Sequence, residues 1–392
     1  MVLRIALSSH DSVGLGHVRR NLAIAHALSR SLPALTGEQV TGVLLTGQAS
    51  ATGFAAPAGW DWVVLPSVTV GEGGYRSRHL AAGIDRVTAM RSAVVAAVLK
   101  EFGPDLLVVD RHPFGVHREL DKALRQLRAQ RPSCATVLGL RDVLDRPAVA
   151  RAEWRALGGA AAVREHFDAI WVYGDPTVHD ITASGELPRG LHDLVTHTGY
   201  LAHGRDAAPV EVEDPFVLTT VGGGCDGAGI AREAARAAVP AGFRHLVVVG
   251  PQMPESDRAS VRAVATERTE VVESVPDVLG LARRAAAVVA MGGYNTVCEV
   301  MSTDTPILVV PRVDRRDEQR LRAVALARAG AIETFSPSEA DARAIEDFFA
   351  RRVGDRATRT GIDLGGLDAV APLAARLIAD ARAGREVLAH AV

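Results

Sequence analysis

The chain has 392 residues, which is long for one ordinary core and suits two domains. Its formal net charge of -2, from 44 basic and 46 acidic residues, argues against nucleic acid as the main partner, because phosphate binding requires a basic field. The three cysteines, Cys134, Cys225 and Cys298, are far apart and odd in number. Neither a disulfide framework nor a structural zinc site is therefore expected.

The sequence also indicates a cytoplasmic protein without a membrane span. The first residues, MVLRIALSSHDS, contain too short an apolar run for a signal peptide. No stretch of the sequence approaches the roughly 18 apolar residues that a membrane span needs.

Short apolar runs alternate with longer alanine-rich helical stretches, first over residues 1–203 and again over 215–365. This alternation predicts the α/β class, with two doubly wound Rossmann-like domains that face each other across a cleft. Residues 204–214 are polar and lack periodicity, so they are predicted to be the linker. A last helix is predicted within 366–392. Ligands of such folds bind beyond the carboxyl ends of the strands, so the loops there are the candidate sites.

In the first half, Gly14, Gly16 and His17 follow the first strand and open the first helix. The glycines allow a tight turn close to a ligand, and a histidine there is a candidate general base. The alternative is a tight turn with His17 as a cap. Asp110 and His112 follow another buried strand. Each could orient a base or hold an acceptor hydroxyl, and a helix-capping role is an equally good interpretation.

In the second half, two glycine-rich loops predict a phosphate site. The three glycines 222–224 follow a strand and expose N–H groups to an anion, although a flexible turn is the alternative. Gly292 and Gly293 precede a helix whose free N–H groups suit a pyrophosphate. Thr296 and Glu299 share one face of that helix, so Glu299 is a candidate ribose clamp. The alternative is an incidental acid on a helix.

A charged turn over 310–320 follows the next strand, and Gln319 in it could contact sugar hydroxyls. Considered alone, the turn is better explained as solvated surface. The sequence has no Asp-x-Asp, His-Glu-x-x-His, Gly-x-Ser-x-Gly or Walker lysine motif. We therefore expect helix ends and side chains, without a metal or a cofactor, to meet the charge of a leaving diphosphate.

These residues together resemble glycosyltransferase family 28, whose best-known member is the N-acetylglucosaminyltransferase that forms lipid II. The resemblance rests on His17 after its glycine-rich loop, on the run Gly-Gly-Tyr-Asn-Thr-Val-Cys-Glu ending at Glu299, and on Pro311 with Asp-Glu-Gln at 317–319. It implies the GT-B fold, a donor that is usually UDP-linked, and a final helix 366–392 that packs back on the N-terminal domain.

The resemblance also implies residue roles: ribose binding by Glu299, sugar contact by Gln319, and a position beside the base for Val275. We assign catalytic roles to His17 and Asp110. The loop residues assigned to the acceptor side are Gly14, Gly16 and His112. The residues assigned to the donor site are Gly223, Gly224, Val275, Gly292, Gly293, Asn295, Thr296, Glu299 and Gln319.

The sequence departs from the family at Arg320 and Ala323, where a second Gln and an Asn are usual, so the donor sugar is open. The N-terminal half resembles instead a group of predicted glycosyltransferases, through 14–20, 140–142, 172–176 and 198–200. The run 14–20 is also similar to the nucleotide-sugar hydrolase of pseudaminic acid synthesis.

Four functions compete at this stage. The first is inverting, metal-independent sugar transfer from a UDP-sugar to the hydroxyl of a small-molecule or lipid-linked acceptor. The second is hydrolysis of a nucleotide sugar, the third a non-catalytic sugar-nucleotide-binding role, and the fourth a non-hydrolysing epimerase. An extra helical stretch at 147–166 offers room for an acceptor and favours transfer.

Overall fold

The computed structural model describes residues 2–10, 14–71, 73–207, 210, 212, 214–312 and 316–390, with the backbone alone for 385–390. Parts of four sequence predictions lie outside the described residues. These parts are 11–13 of the first loop, 208, 209, 211 and 213 of the predicted linker, 313–315 of the charged turn, and 391–392 of the last helix.

The strands in the described ranges are β1 (Val2–Ser8), β2 (Gln39–Thr46), β3 (Trp60–Val64), β4 (Val68–Gly71), β5 (Gly74–Ser77), β6 (Leu106–Asp110), β7 (Ala135–Arg141), β8 (Ala169–Tyr173), β9 (Val195–His197), β10 (Phe216–Thr220), β11 (Arg244–Val248), β12 (Thr269–Val272), β13 (Val288–Ala290), β14 (Ile307–Val309) and β15 (Glu333–Thr334).

The α-helices are α1 (Gly16–Thr36), α2 (Ile84–Phe102), α3 (Asp121–Gln130), α4 (Pro147–Ala156), α5 (Gly159–Arg164), α6 (Ala228–Arg236), α7 (Glu255–Arg262), α8 (Val278–Arg284), α9 (Tyr294–Met301), α10 (Glu318–Arg328), α11 (Ala342–Arg352) and α12 (Gly366–His390). Short 3-10 helices lie at Ala49–Gly53, Val116–Arg118 and Arg189–Leu194.

The strands form two parallel sheets and one antiparallel hairpin. The first sheet has the order β3-β2-β1-β6-β7-β8-β9, the second has the order β12-β11-β10-β13-β14-β15, and β4 pairs with β5. The order reverses between β1 and β6 in the first sheet and between β10 and β13 in the second. Such a reversal opens a crevice at the carboxyl ends of the strands. The predicted α/β class with two doubly wound sheets is confirmed.

The core explains why these segments form these elements. All residues of β6, β8 and β10 are buried, as expected for strands covered on both faces. Along α1, Ile24, Leu28 and Leu32 repeat every four residues and pack into the core of the first sheet. The helix α12 packs against α1 and contributes Val370 and Ala374 to the same core.

Several local predictions were wrong at the level of single elements. The helical stretch predicted over 147–166 is broken at Gly158, whose φ of 97° ends α4 and starts α5. The strands β9 and β15 and the hairpin were not predicted, because two to four residues carry too little pattern. Asp110 is the last residue of β6 instead of a loop residue.

No helix in the described part of the chain is long and apolar enough to cross a membrane.

Candidate functional site

The catalytic candidates meet at the reversal point of the first sheet. β1 pairs in parallel with β6, so the loop after β1 and the end of β6 lie side by side. His17 stands in the first turn of α1, and its Nδ1 lies 2.5 Å from Oδ2 of Asp110. The sequence placed these two residues 93 positions apart in different loops. The fold brings them into direct contact.

A buried arginine holds the carboxylate from the other side. Arg20 donates from Nε to Oδ1 of Asp110 at 2.9 Å and from Nη2 to Oδ2 at 2.5 Å. Arg20 and Asp110 are both almost fully buried. Because an ionised carboxylate can only accept hydrogen bonds, Nδ1 of His17 must carry the hydrogen. The lone pair of a neutral His17 then lies on Nε2, where a general base needs it.

The electrostatics favour a neutral His17. Burial lowers its pKa below the ordinary value, and the charge and hydrogen bond of Asp110 oppose this without reversing it. Burial raises the pKa of Asp110. The charges and hydrogen bonds of Arg20 and His17 lower it by more, so the pKa of this carboxyl lies below its ordinary range. Burial is the largest cause of the lowered pKa of His17.

His112 does not join this pair. Its ring packs against His10 with the ring centroids 3.9 Å apart, and His10 lies 6.0 Å from His17. Nε2 of His10 is 2.9 Å from the hydroxyl of Tyr75 on β5. Burial lowers the pKa of both His10 and His112 well below the ordinary value. The two histidines therefore form a neutral aromatic cluster beside the catalytic candidates.

The glycine-rich loop after β10 lies at the reversal point of the second sheet. Gly224 has a φ of 92°, and a Cβ there would collide with the carbonyl oxygen of Val249. Gly250 is equally constrained, because its Cβ would collide with the carbonyl oxygen of Gly222. The loop after β11, which holds Gly250, thus packs backbone against backbone on the loop 222–224. In this contact Gln252 N donates to Gly223 O at 2.8 Å. The glycines are therefore needed for this close packing as well as for any ligand.

The helix α9 opens toward the same place from the neighbouring strand β13. Gly293 is its N-cap, and no side chain among the described residues caps it. By contrast, Asp277 caps α8 by accepting from Leu279 N at 2.9 Å. The first N–H groups of α9 are thus available to an anion.

A cleft of about 400 Å³ lies between the two sheets. Nine of the predicted site residues line it: Gly14, Gly16, His17, Gly223, Val275, Gly293, Asn295, Thr296 and Gln319. Five lie outside this lining: Asp110, His112, Gly224, Gly292 and Glu299. The fold thus gathers loops from both halves around one cavity.

Glu299 is buried behind the lining and contacts the other half of the chain. Its Oε1 accepts from Arg19 Nη2 at 2.5 Å and from Arg205 Nη1 at 3.4 Å. Its Oε2 is buried without a partner in the described residues. One helical turn earlier, Asn295 Nδ2 donates to Gly16 O at 2.7 Å. The predicted ribose clamp therefore carries one free carboxylate oxygen and one bound to arginine.

A second bridge joins the halves through Arg322, which also lines the cleft. Arg322 on α10 binds Asp142 through Nε and Nη2, at 2.6–3.0 Å, and its Nη1 donates to Gly292 O at 2.9 Å. Both partners of this ion pair are about 1% exposed. Nearby, Gln319 Oε1 accepts from Arg312 N at 3.3 Å. Gln319 is thus held at the cavity wall by the backbone of the preceding loop.

Sequence reasoning missed the arginines of the cleft. Arg19 and Arg20 stand in the run 14–20, and Arg141 and Asp142 stand in the run 140–142. Both runs supported the family resemblance, but no role was assigned to these four residues. One local signal existed, because Arg20 is three residues after His17 and shares its helix face. No spacing in the sequence indicates which carboxylate each arginine binds.

Residues of the described ranges form no group of three or more His, Cys, Asp or Glu that could hold a metal ion. Burial raises the pKa of the Cys298 thiol to about 12, so this cysteine in α9 is a packing residue. Besides His17 and arginines, the polar side chains that line the cleft include Asn295, Thr296 and Gln319.

Comparisons with known proteins agree with this architecture. Spinosyn forosaminyltransferase SpnP is 15% identical, with a TM-score of 0.59 over 97% of this chain and 95% of that one. MurG of Acinetobacter baumannii is 14% identical, with a TM-score of 0.51 over 95% of both chains. An S. aureus MnaA structure with UDP is 12% identical, with a TM-score of 0.57 over 95% and 94%. A search of curated protein sequences found no significant match.

The fold and the cleft define the class as GT-B, with two Rossmann-like halves. Residues 219–350 match the glycosyltransferase family 28 C-terminal domain. The predictions of a GT-B fold, of a family 28 resemblance and of a glycosyltransferase are thereby confirmed. All nine of the predicted donor residues, from Gly223 to Gln319, lie within the matched segment.

Proposed function

We propose that the protein transfers a sugar from a UDP-sugar to an acceptor hydroxyl with inversion at the anomeric carbon. The observation that carries the proposal is the His17–Asp110 pair, which faces the family 28 domain across one cleft. Hydrolysis would use the same donor residues. The transfer function is favoured because the match is to a glycosyltransferase domain.

The proposed reaction is a single displacement. Nε2 of His17 takes the proton of the acceptor hydroxyl, whose oxygen attacks the anomeric carbon as the bond to the diphosphate breaks. Asp110 stabilises the imidazolium that forms and keeps Nδ1 as the hydrogen-bond donor. The N–H groups at the start of α9 and the loop 222–224 receive the charge of the leaving diphosphate. We propose that no cofactor takes part.

The test is release of nucleoside diphosphate from a panel of nucleotide sugars, with and without candidate small-molecule and lipid-linked acceptors. Acceptor-dependent release from one UDP-sugar is the expected result, and analysis of the product anomer by NMR tests inversion. Equally fast release without any acceptor would overturn transfer in favour of hydrolysis. Absence of release from every donor would overturn the enzymatic proposal.

Turnover is expected to persist in excess EDTA, because the backbone N–H groups at the start of α9 and in the loop 222–224 meet the diphosphate charge. Initial rates measured by chromatography in EDTA and in magnesium buffer give the comparison. A complete loss of rate in EDTA that magnesium restores would contradict metal independence.

Replacing Glu299 by alanine is expected to weaken UDP binding by about 10- to 100-fold, since each hydrogen bond of a ribose hydroxyl to a carboxylate is worth about 1.5–3 kcal/mol. Titration calorimetry measures the Kd directly. Glu270→Ala, an exposed acid on β12 of the same half, is the matched control. A lower melting temperature with an unchanged Kd would show that Glu299 only holds Arg19 and Arg205.

A further inference from the structure

The last residue of β7, Arg141, has a different environment from the other arginines of the cleft. It stands at the carboxyl edge of the first sheet and lines the cavity together with His17, Gly293 and Gln319. It comes from the N-terminal half, whereas the predicted phosphate loops come from the C-terminal half. A ligand on those loops would have Arg141 on the opposite wall.

Each of the other four described arginines that line the cavity has a hydrogen-bonded carboxylate. Arg20 binds Asp110 and Arg322 binds Asp142. The remaining pairs join Arg19 to Glu299 and Arg312 to both Asp226 and Glu318. These pairs neutralise the guanidinium groups and fix their positions.

Arg141 lacks such a partner. The nearest carboxylate is Glu318 at 3.8 Å, beyond hydrogen-bond distance and already bound by Arg312. The guanidinium donates no hydrogen bond to a described residue, and its Nε is buried without a partner. Burial, together with Arg322, Arg20 and other arginines, lowers the pKa of Arg141 to about 9, against the attraction of Glu318. The side chain of Arg141 is 17% exposed in the cleft, so a ligand bound there can supply acceptors for its unused donors.

We propose that Arg141 binds an anionic oxygen of the donor substrate from the N-terminal wall of the cleft. The planar guanidinium offers a fork of donors that matches a phosphate or a carboxylate. Two parts of a donor carry such oxygens: the β-phosphate of the nucleotide and the carboxylate of an acidic sugar. The inference rests on the proposed function. It adds a contact between the sugar-nucleotide donor and the N-terminal half, which also holds the candidate general base His17.

The test uses the Kd of four ligands, UMP, UDP, UDP-glucose and UDP-glucuronate, for the wild-type chain and for Arg141→Gln. If Arg141 holds the β-phosphate, the glutamine variant binds UDP about 10- to 100-fold more weakly while the Kd of UMP stays nearly unchanged. If it holds a sugar carboxylate, UDP and UDP-glucose bind as in the wild type, and UDP-glucuronate loses affinity.

Arg141→Lys keeps the charge without the fork and should give an intermediate loss, which preserves the test if the glutamine variant does not fold. Arg155→Gln, an exposed arginine on α4, controls for the loss of one positive charge. The role of Arg141 would be overturned if each of the four ligands bound the variants with the same Kd as the wild type. Equal losses of affinity for UMP and UDP would also overturn it. Failure of the wild-type chain to bind any of the four would instead overturn the proposed function, and this inference with it.

Discussion

Replacing His17 by alanine is expected to lower kcat by about 10²- to 10⁴-fold, the usual contribution of a positioned general base. The Kd for UDP should barely change, because no contact with the nucleotide is assigned to His17. The expected loss of kcat follows from the 2.5 Å contact with Asp110, which fixes the imidazole with Nδ1 as donor and leaves Nε2 to accept a proton. Single-turnover rates and calorimetric titration separate the two effects.

The pH dependence follows from the same geometry. Only neutral His17 can accept a proton, and burial lowers its pKa below the ordinary value. The wild-type kcat/KM should therefore stay high through pH 6.5 and fall as the pH drops through this lowered pKa. The acid limb of the profile should be missing in the residual activity of His17→Ala.

His26→Ala is the matched control, because His26 lies on the same helix and contacts Ala55 O, at 3.2 Å from Nε2, and Asp206, at 3.8 Å from Nδ1, neither of which is a predicted site residue. Its kcat should equal that of the wild type. Near-normal turnover of His17→Ala combined with weak UDP binding would show that His17 is a phosphate ligand.

Asp142→Ala is expected to destabilise the fold by about 3–5 kcal/mol, because it leaves Arg322 as a buried and uncompensated charge. Arg322 and Asp142 join α10 to the end of the first sheet through three hydrogen-bond contacts. Urea unfolding followed by tryptophan fluorescence and by circular dichroism measures the loss, and coincidence of the two probes shows whether one transition describes both halves.

The double variant Asp142→Leu with Arg322→Met removes both charges and should be more stable than Asp142→Ala. Asp193→Ala is the control, because its pair with Arg164 lies at the exposed surface and should matter little. An unfolding midpoint of Asp142→Ala equal to that of the wild type would show that the buried pair contributes nothing.

Much of the donor half could be predicted from sequence because its requirements are local. Gly224 and Gly293 end or follow strands at places where the backbone must turn closely or begin a helix, and such demands leave a visible pattern. The alternation of apolar runs and helical stretches indicated two parallel sheets for the same reason. The roles assigned to the individual site residues stay predictions.

The sequence by itself determined the class of fold, the position of the glycine-rich loops and the candidate base, since each depends on neighbours within a few residues. Only the tertiary structure decided which charges meet. Arg20 binds Asp110 across 90 positions, Arg322 binds Asp142 across 180, and Arg19 binds Glu299 across 280. Pairs so far apart in sequence leave no periodic pattern, because the order of the strands and the closure of two separate sheets set their distance. The same closure leaves Arg141 as the cleft arginine whose guanidinium donates no hydrogen bond to a described residue.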